Sequence, residues 1–223
     1  MRIGRRQDTR QGEAPRITDR ERAAAWQAQS LLLNYPDERL LEHRGLLRAA
    51  ATALPDALGG PLAGFLDHVD TTPLTELAAD YVATFDHRKR FSPYLTYFAY
   101  GDTRKRGMAL LRFTHAYRAA GQRLDDGELP DHLAVVLEFA ATVDARTGQR
   151  LLTEHRAGVE LIRRGLHEAG SPWAGVLDSV RATLPPLGRR EHEAVARLVA
   201  QGPPEEEVGL EPYATATDQG VDQ

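Results

Sequence analysis

From about residue 18 to residue 200, apolar side chains return every three or four positions, while the two-residue alternation of a half-buried strand is almost absent. A rhythm near 3.6 can bury one face only when the backbone is helical, so it fixes the class of fold before any other feature is weighed. Alanine and leucine are used more freely than valine and isoleucine, the residue choice that costs a helix least side-chain entropy. The reading is all-α, a compact single-domain bundle of about ten helices. The segments are 18–34, 37–53, 61–70, 73–85, 93–100, 103–120, 130–144, 147–168, 172–184 and 188–200. Their ends carry physical markers. Thr72-Pro73, Ser92-Pro93 and Ser171-Pro172 each place a hydroxyl before a proline, the pattern of an N-cap followed by a first helical residue that has no amide to waste. Pro36, Pro55 and the Pro185-Pro186 pair stop helices, and Gly121 can close one in the left-handed region. A hinge loop is expected near 121–130, between two helical halves of which neither stands alone.

A chain of 223 residues suits one large domain, and no 20- to 50-residue repeat suggests a solenoid. The ends differ from the middle. The first 22 residues hold seven arginines against four acids, and residues 201–223 hold six acids with no lysine or arginine. The expected organisation is therefore a disordered basic arm over 1–17, a helical domain over 18–200 and an acidic tail over 201–223. Overall charge is −4, which lacks the basic surplus a non-specific nucleic-acid binder uses to displace counterions. No apolar run approaches a membrane span, and none follows Arg5-Arg6 at signal-peptide spacing. With no cysteine there are no disulfides, thiolate nucleophiles or cysteine-built metal sites, which fits a reducing compartment.

Searches for chemistry are negative. Lys89 and Lys105 are each followed by arginine, so no P-loop exists, and no glycine has another two positions on, so no dinucleotide fingerprint exists. No serine lies in a nucleophile elbow. The eight histidines are never closer than twelve residues and none follows a glutamate by three, so neither His-x-x-x-His nor Glu-x-x-His can form on a helix. No metal site is expected.

The informative stretch is the middle. Of fifteen aromatic residues ten lie between 81 and 139, and two basic clusters, Arg88-Lys89-Arg90 and Arg104-Lys105-Arg106, flank the densest run of them. Aromatic side chains give large contact area with few rotors to freeze, which suits a peptide groove, although the same spacing describes an ordinary core. Glu128-Leu-Pro-Asp-His132 is a second concentration, with Pro130 and Asp131 expected in the first turn of a helix and His132 adding a titratable group.

Tyr81-x-x-Thr-Phe-Asp86, Gly101-Asp-Thr-Arg-x-Arg-Gly107 and Glu128-Leu-Pro-Asp-His-Leu133 with Leu137-Glu-Phe139 resemble the respiratory nitrate reductase delta subunit family, NarJ-type molybdenum cofactor assembly chaperones within the wider redox-enzyme maturation group. The likeness is strongest over residues 74–144. Leu31-Leu-Leu-Asn-Tyr-Pro36 and Val208-Gly-Leu-Glu-Pro-Tyr213 are also similar. Pro93 stands where a leucine-like residue is expected, and the N-terminal arm has no counterpart.

The resemblance implies a cytoplasmic helical chaperone, not an enzyme. Such a protein binds the N-terminal peptide of the nitrate reductase alpha subunit before membrane docking. It assists insertion of the molybdopterin guanine dinucleotide cofactor while holding no cofactor tightly itself. It further implies a peptide site at Tyr81, Phe85, Asp86, Tyr94, Tyr97, Arg104 and Arg106, and a hinge motif at Glu128, Pro130, Asp131 and His132. Asp86 and Asp131 are the expected answers to basic client residues. Two alternatives stay open from the residues: an enzyme drawing on Asp86, Glu138 and His132, and a DNA-binding regulator reading with the helix from Arg104 to Tyr117.

Overall fold

The computed structural model describes residues 17–124 and 127–201; the expected basic arm and acidic tail lie, apart from their inner edges, outside these described residues. Among them are eleven α-helices: α1 (Asp19–Leu33), α2 (Glu38–Ala53), α3 (Asp56–Thr71), α4 (Leu74–Tyr81), α5 (Tyr97–Tyr100), α6 (Arg104–Ala119), α7 (Leu133–Thr142), α8 (Ala145–Glu154), α9 (Arg156–Glu168), α10 (Trp173–Thr183) and α11 (Arg189–Gln201). A π-helical turn, Val82–Asp86, prolongs α4, and a 3₁₀ turn spans Lys89–Phe91. The one pairing of extended backbone among the described residues joins Tyr94 to His132.

Helix α1 is the hub. Thr18 caps it in a reciprocal capping box with Glu21, and its far end stops at Asn34. Trp26, Leu32 and Leu33 are buried, each contributing about 1.5–3 kcal/mol by removal from water. Polar groups on the same helix tie it to distant partners. Trp26 Nε1 donates to Thr183 Oγ1 at 3.0 Å, Gln29 Nε2 to Ser179 Oγ at 2.8 Å, and Ser30 Oγ to the Ala134 carbonyl at 2.8 Å. In return, Trp173 Nε1 and the Tyr81 hydroxyl donate to the last carbonyls of α1, those of Leu32 and Leu33. Because α1 packs on both α7 and α10, the two expected halves share one core.

Several boundaries differ from the sequence reading. None of the three hydroxyl-proline pairs caps a helix through its side chain. Thr72 Oγ1 meets His68 Nδ1, Ser171 Oγ is buried without a partner, and Ser92-Pro93 leads into extended chain. The working side-chain caps are Thr18, Asp37, His132 and Asp144. Helix α3 begins at Asp56, five residues before Pro61. The segment 147–168 is two helices broken at His155. Gly121 does close α6, at φ +78°.

Candidate functional site

Pro93 and Pro130 were expected to open helices; instead each lies in non-helical chain that joins the two motif segments. The Leu95 amide donates to the Asp131 carbonyl at 2.9 Å, and the Leu133 amide to the Pro93 carbonyl at 2.8 Å. The Tyr117 hydroxyl, from α6, donates to the Pro130 carbonyl at 2.6 Å. A residue before proline is driven toward extended backbone, so both stretches arrive ready to pair, and the helices start only afterwards, at Tyr97 and Leu133.

Side chains reinforce this clasp. Asp131 is fully buried, and its Oδ2 accepts from the Thr96 amide at 3.1 Å and the Thr96 hydroxyl at 2.5 Å. Arg106 reaches in from α6: Nε donates to Thr96 Oγ1 at 3.2 Å, Nη2 lies 3.7 Å from Asp131 Oδ2, and the guanidinium sits over the Tyr94 ring. Asp131 Oδ1 and Arg106 Nη2 have no hydrogen-bond partner. His132, beside it, caps α7 by accepting the Ala134 amide on Nδ1 at 3.2 Å while its ring stands edge-on to Tyr94. Burial pushes the imidazole below its ordinary range despite the nearby Asp131 and Asp86 carboxylates, which keeps it in the neutral form this cap requires. Burial likewise raises the Tyr94 phenol, with Asp131 and Asp86 adding to the shift.

The structure thus brings Asp86, Tyr94, Arg106, Pro130, Asp131 and His132 into one neighbourhood, with the Tyr81 phenol near enough to feel Asp86 and Tyr94, while the remaining candidates serve elsewhere. Tyr81 and Phe85 are core: each packs against Trp173, and the Tyr81 hydroxyl is occupied by Leu33. The wide π turn sends Phe85 inward and leaves Asp86 exposed. Arg104 is exposed on the first turn of α6. Glu128 lines a separate depression with Tyr117, Leu124, Glu138 and Phe139. Glu138 faces that depression, whereas His132 stands against Tyr94. Among the described residues, no group of three or more histidine or acidic side chains is placed to hold a metal, and no helix is long and apolar enough to cross a membrane.

Tyr97 belongs to a second place, a trough between the α5 region and α9 that sequence reasoning missed. Phe98 and Phe91 are laid directly onto α9 where Gly158 and Gly165 leave room. A methyl group on either glycine would come within 2.7 Å of the facing ring. Their seven-residue spacing puts both on one helix face and was the available signal. Two cavities of about 330 and 350 Å³ share Phe98 and, from α11, Leu198. Leu95, Ala157 and Gly158 line the first; Tyr97, Leu161 and Gly165 line the second. Acidic and basic groups edge the apolar floor, Glu154 with Arg197 at one end and Lys89, Arg90, Arg164 with Glu168 at the other. Such a concavity suits a helix or extended peptide with an apolar stripe.

Behind it, α9 is anchored to α10 by ions. Glu160 is buried and receives Arg163 at 2.9 Å through both Nε and Nη2, and Arg164 Nε at 2.9 Å. Arg163 also reaches Asp178 at 2.8 Å. Against burial, which pushes the Glu160 carboxyl up, the two arginines hold it down to about 2.

Comparison with known proteins gives these segments a family. The family described as nitrate reductase delta subunit matches residues 51–178. The nitrate reductase-like protein NarX of Mycobacterium tuberculosis (strain H37Rv) is 40% identical over 168 residues, 73% of this chain but 24% of that protein; the chain thus spans about a quarter of such relatives. NarJ of Bacillus subtilis (strain 168) is 30% identical over 77% of this chain and 94% of its own length. The nitrate reductase molybdenum cofactor assembly chaperone NarJ of Escherichia coli (strain K12) is 30% identical over 67% of this chain and 64% of its own. A crystal structure described as that of a redox enzyme maturation protein from Archaeoglobus fulgidus superposes with a TM-score of 0.52 at 25% identity, covering 80% of this chain and 96% of the other. The NarJ relatives are named for assembly and not for catalysis. The chain belongs to the nitrate reductase delta subunit family.

Proposed function

We propose that this protein is a dedicated chaperone of nitrate reductase assembly. On this reading it works in the cytoplasm, binding the N-terminal peptide of the catalytic alpha subunit and holding that subunit back from membrane docking. Meanwhile the molybdopterin guanine dinucleotide cofactor is inserted. The observation that supports this most is the similarity to Bacillus subtilis NarJ along 94% of that protein's length. The absence of any assembled catalytic group among the described residues is compatible with it, and the apolar trough offers a seat of the right kind.

Within this reading, the parts differ in role. Asp86 is exposed beside the Tyr94 cluster and is the carboxylate available to a basic client residue, with Arg104 a further exposed charge. Asp131 is enclosed, so its part is to hold the clasp between the aromatic segment and the Glu128–His132 motif, with Arg106 as its counter-ion. Tyr97 is the predicted residue that lines the trough, while Tyr81 and Phe85 support it from the core.

The test is titration of the isotopically labelled protein with a synthetic peptide of the first residues of the host's nitrate reductase alpha subunit. Saturable binding with the largest amide shifts along α5 and α9 is expected. Absence of binding, together with failure of the alpha subunit to co-purify from the host, would overturn the proposal.

A further inference from the structure

Helix α11 lies over the trough through Ala194, Val195 and Leu198, packing principally on α9. It fills the space badly. Clefts of about 330 and 350 Å³, both open to solvent, share Leu198 in their walls, so the helix leaves much of the trough unfilled. Val195 is buried, but Val199, one residue past Leu198, is 63% exposed. Its attachment is equally spare. Leu184 to Gly188 connects it to α10, and Pro185 and Pro186 have no amide to donate. The helix has one narrow apolar stripe, Val195 and Leu198 three positions apart, and a basic residue, Arg197, that shares a cavity wall with Glu154. The remainder of its surface is exposed or partly exposed, as on an amphipathic peptide laid on a groove.

We infer that α11 is a resident stand-in for the client. The trough is shaped for an amphipathic helix with a basic residue toward Glu154, α11 occupies it when none is bound, and the incoming peptide displaces α11 to take the same apolar floor of Phe98, Leu161 and Gly165. This rests on the proposed function and adds a regulatory element to it: client affinity is set by the difference between two helices competing for one seat. Weakly seated, α11 keeps Phe98 and Tyr97 covered without blocking capture. The chemistry expected of the client follows from its substitute, two apolar residues at i and i+3 with a basic residue beside the second.

The chain has no cysteine, so a probe pair can be introduced without background. Arg150→Cys with Glu193→Cys places spin labels on exposed positions of α8 and α11. Saturating alpha-subunit peptide should shift and broaden the distance distribution. Leu198→Asp in the full chain should raise peptide affinity about tenfold by emptying the seat. A chain ending at Pro185 should bind a synthetic peptide of residues 187–201, and the alpha-subunit peptide should compete it off. Should truncation unfold the protein, the Leu198→Asp affinity and the label distances decide alone. Peptide that binds tightly while the label distance stays fixed, or an affinity unchanged or lowered in Leu198→Asp, overturns the inference and leaves the chaperone reading standing. Peptide that binds none of these proteins overturns that reading, and the inference with it.

Discussion

Replacing Glu160 by glutamine removes one charge from the ionic anchor behind the trough while keeping the size of the side chain. In the folded protein this carboxyl is held at about 2, against an ordinary 4.5. At about 1.4 kcal/mol for each pH unit between the two, the ionised group contributes roughly 3 kcal/mol to the folded state. The sign follows from which state binds the proton more readily. The unfolded chain takes it up first, so the contribution is complete above 4.5 and disappears as the pH falls toward 2. Glutamine keeps some hydrogen bonding to Arg163 and Arg164, and Arg163 retains Asp178, so a loss of about 2–3 kcal/mol near neutral pH is expected. Urea unfolding of both proteins at about pH 7, 4 and 3 would measure it: the gap should narrow at each step and be smaller by about 2 kcal/mol at the lowest pH. A gap that is the same at every pH would show that the carboxylate's charge is not what the arginines secure. A gap below about 0.5 kcal/mol at neutral pH would place the cluster among ordinary surface ion pairs.

Tyr117→Phe deletes the buried hydroxyl bonded to the Pro130 carbonyl and should cost about 1–2 kcal/mol, with faster amide exchange at Leu95 and Leu133; unchanged exchange there would dissociate α6 from the clasp. Gly158→Ala drives a methyl against Phe98 and should destabilise by about 1–3 kcal/mol and, on the proposed function, weaken peptide binding; a silent variant would mean the α5–α9 contact is loose. His132 should titrate below the ordinary 6.5 by NMR, and the stability that depends on its neutral form should be complete above 6.5 and decline as the pH drops below it; a midpoint at or above 6.5 would contradict its burial.

How much of this was legible depends on the range of the interaction. Helix-forming periodicity is local, so α1, α2, α6 and α10 fall within a residue or two of the segments read from it, and Gly121 turns where a residue without Cβ can. The hydroxyl-proline pairs misled because their local cue competed with distant partners. The Pro93 carbonyl accepts from the Leu133 amide and the Ser171 carbonyl from the Ala174 amide, outcomes set by what lies across the fold or by the backbone alone. Concentrated aromatics pointed to the correct third of the chain without distinguishing lining from filling. Tyr97 reaches a cavity while Phe85 is spent on Trp173, a difference of which side faces α9 that no one-dimensional count carries. The trough itself was hidden because its shape depends on Gly158 and Gly165, whose meaning lies in what approaches them. The Glu160 anchor was hidden because its partners at 163 and 164 look like any solvated charge run until burial is known.

The long reach of α1 has a consequence for biogenesis. Trp26 waits for Thr183, 157 positions later, and Gln29 for Ser179, 150 positions later. At a translation speed of about 5–20 residues per second, the first helix emerges roughly 8–30 seconds before its last partners. Until α7 and then α10 have been made, part of its apolar side, with a tryptophan and three consecutive leucines, lacks its final cover. Helix α1 is thus the part of this fold that waits longest for its full set of contacts.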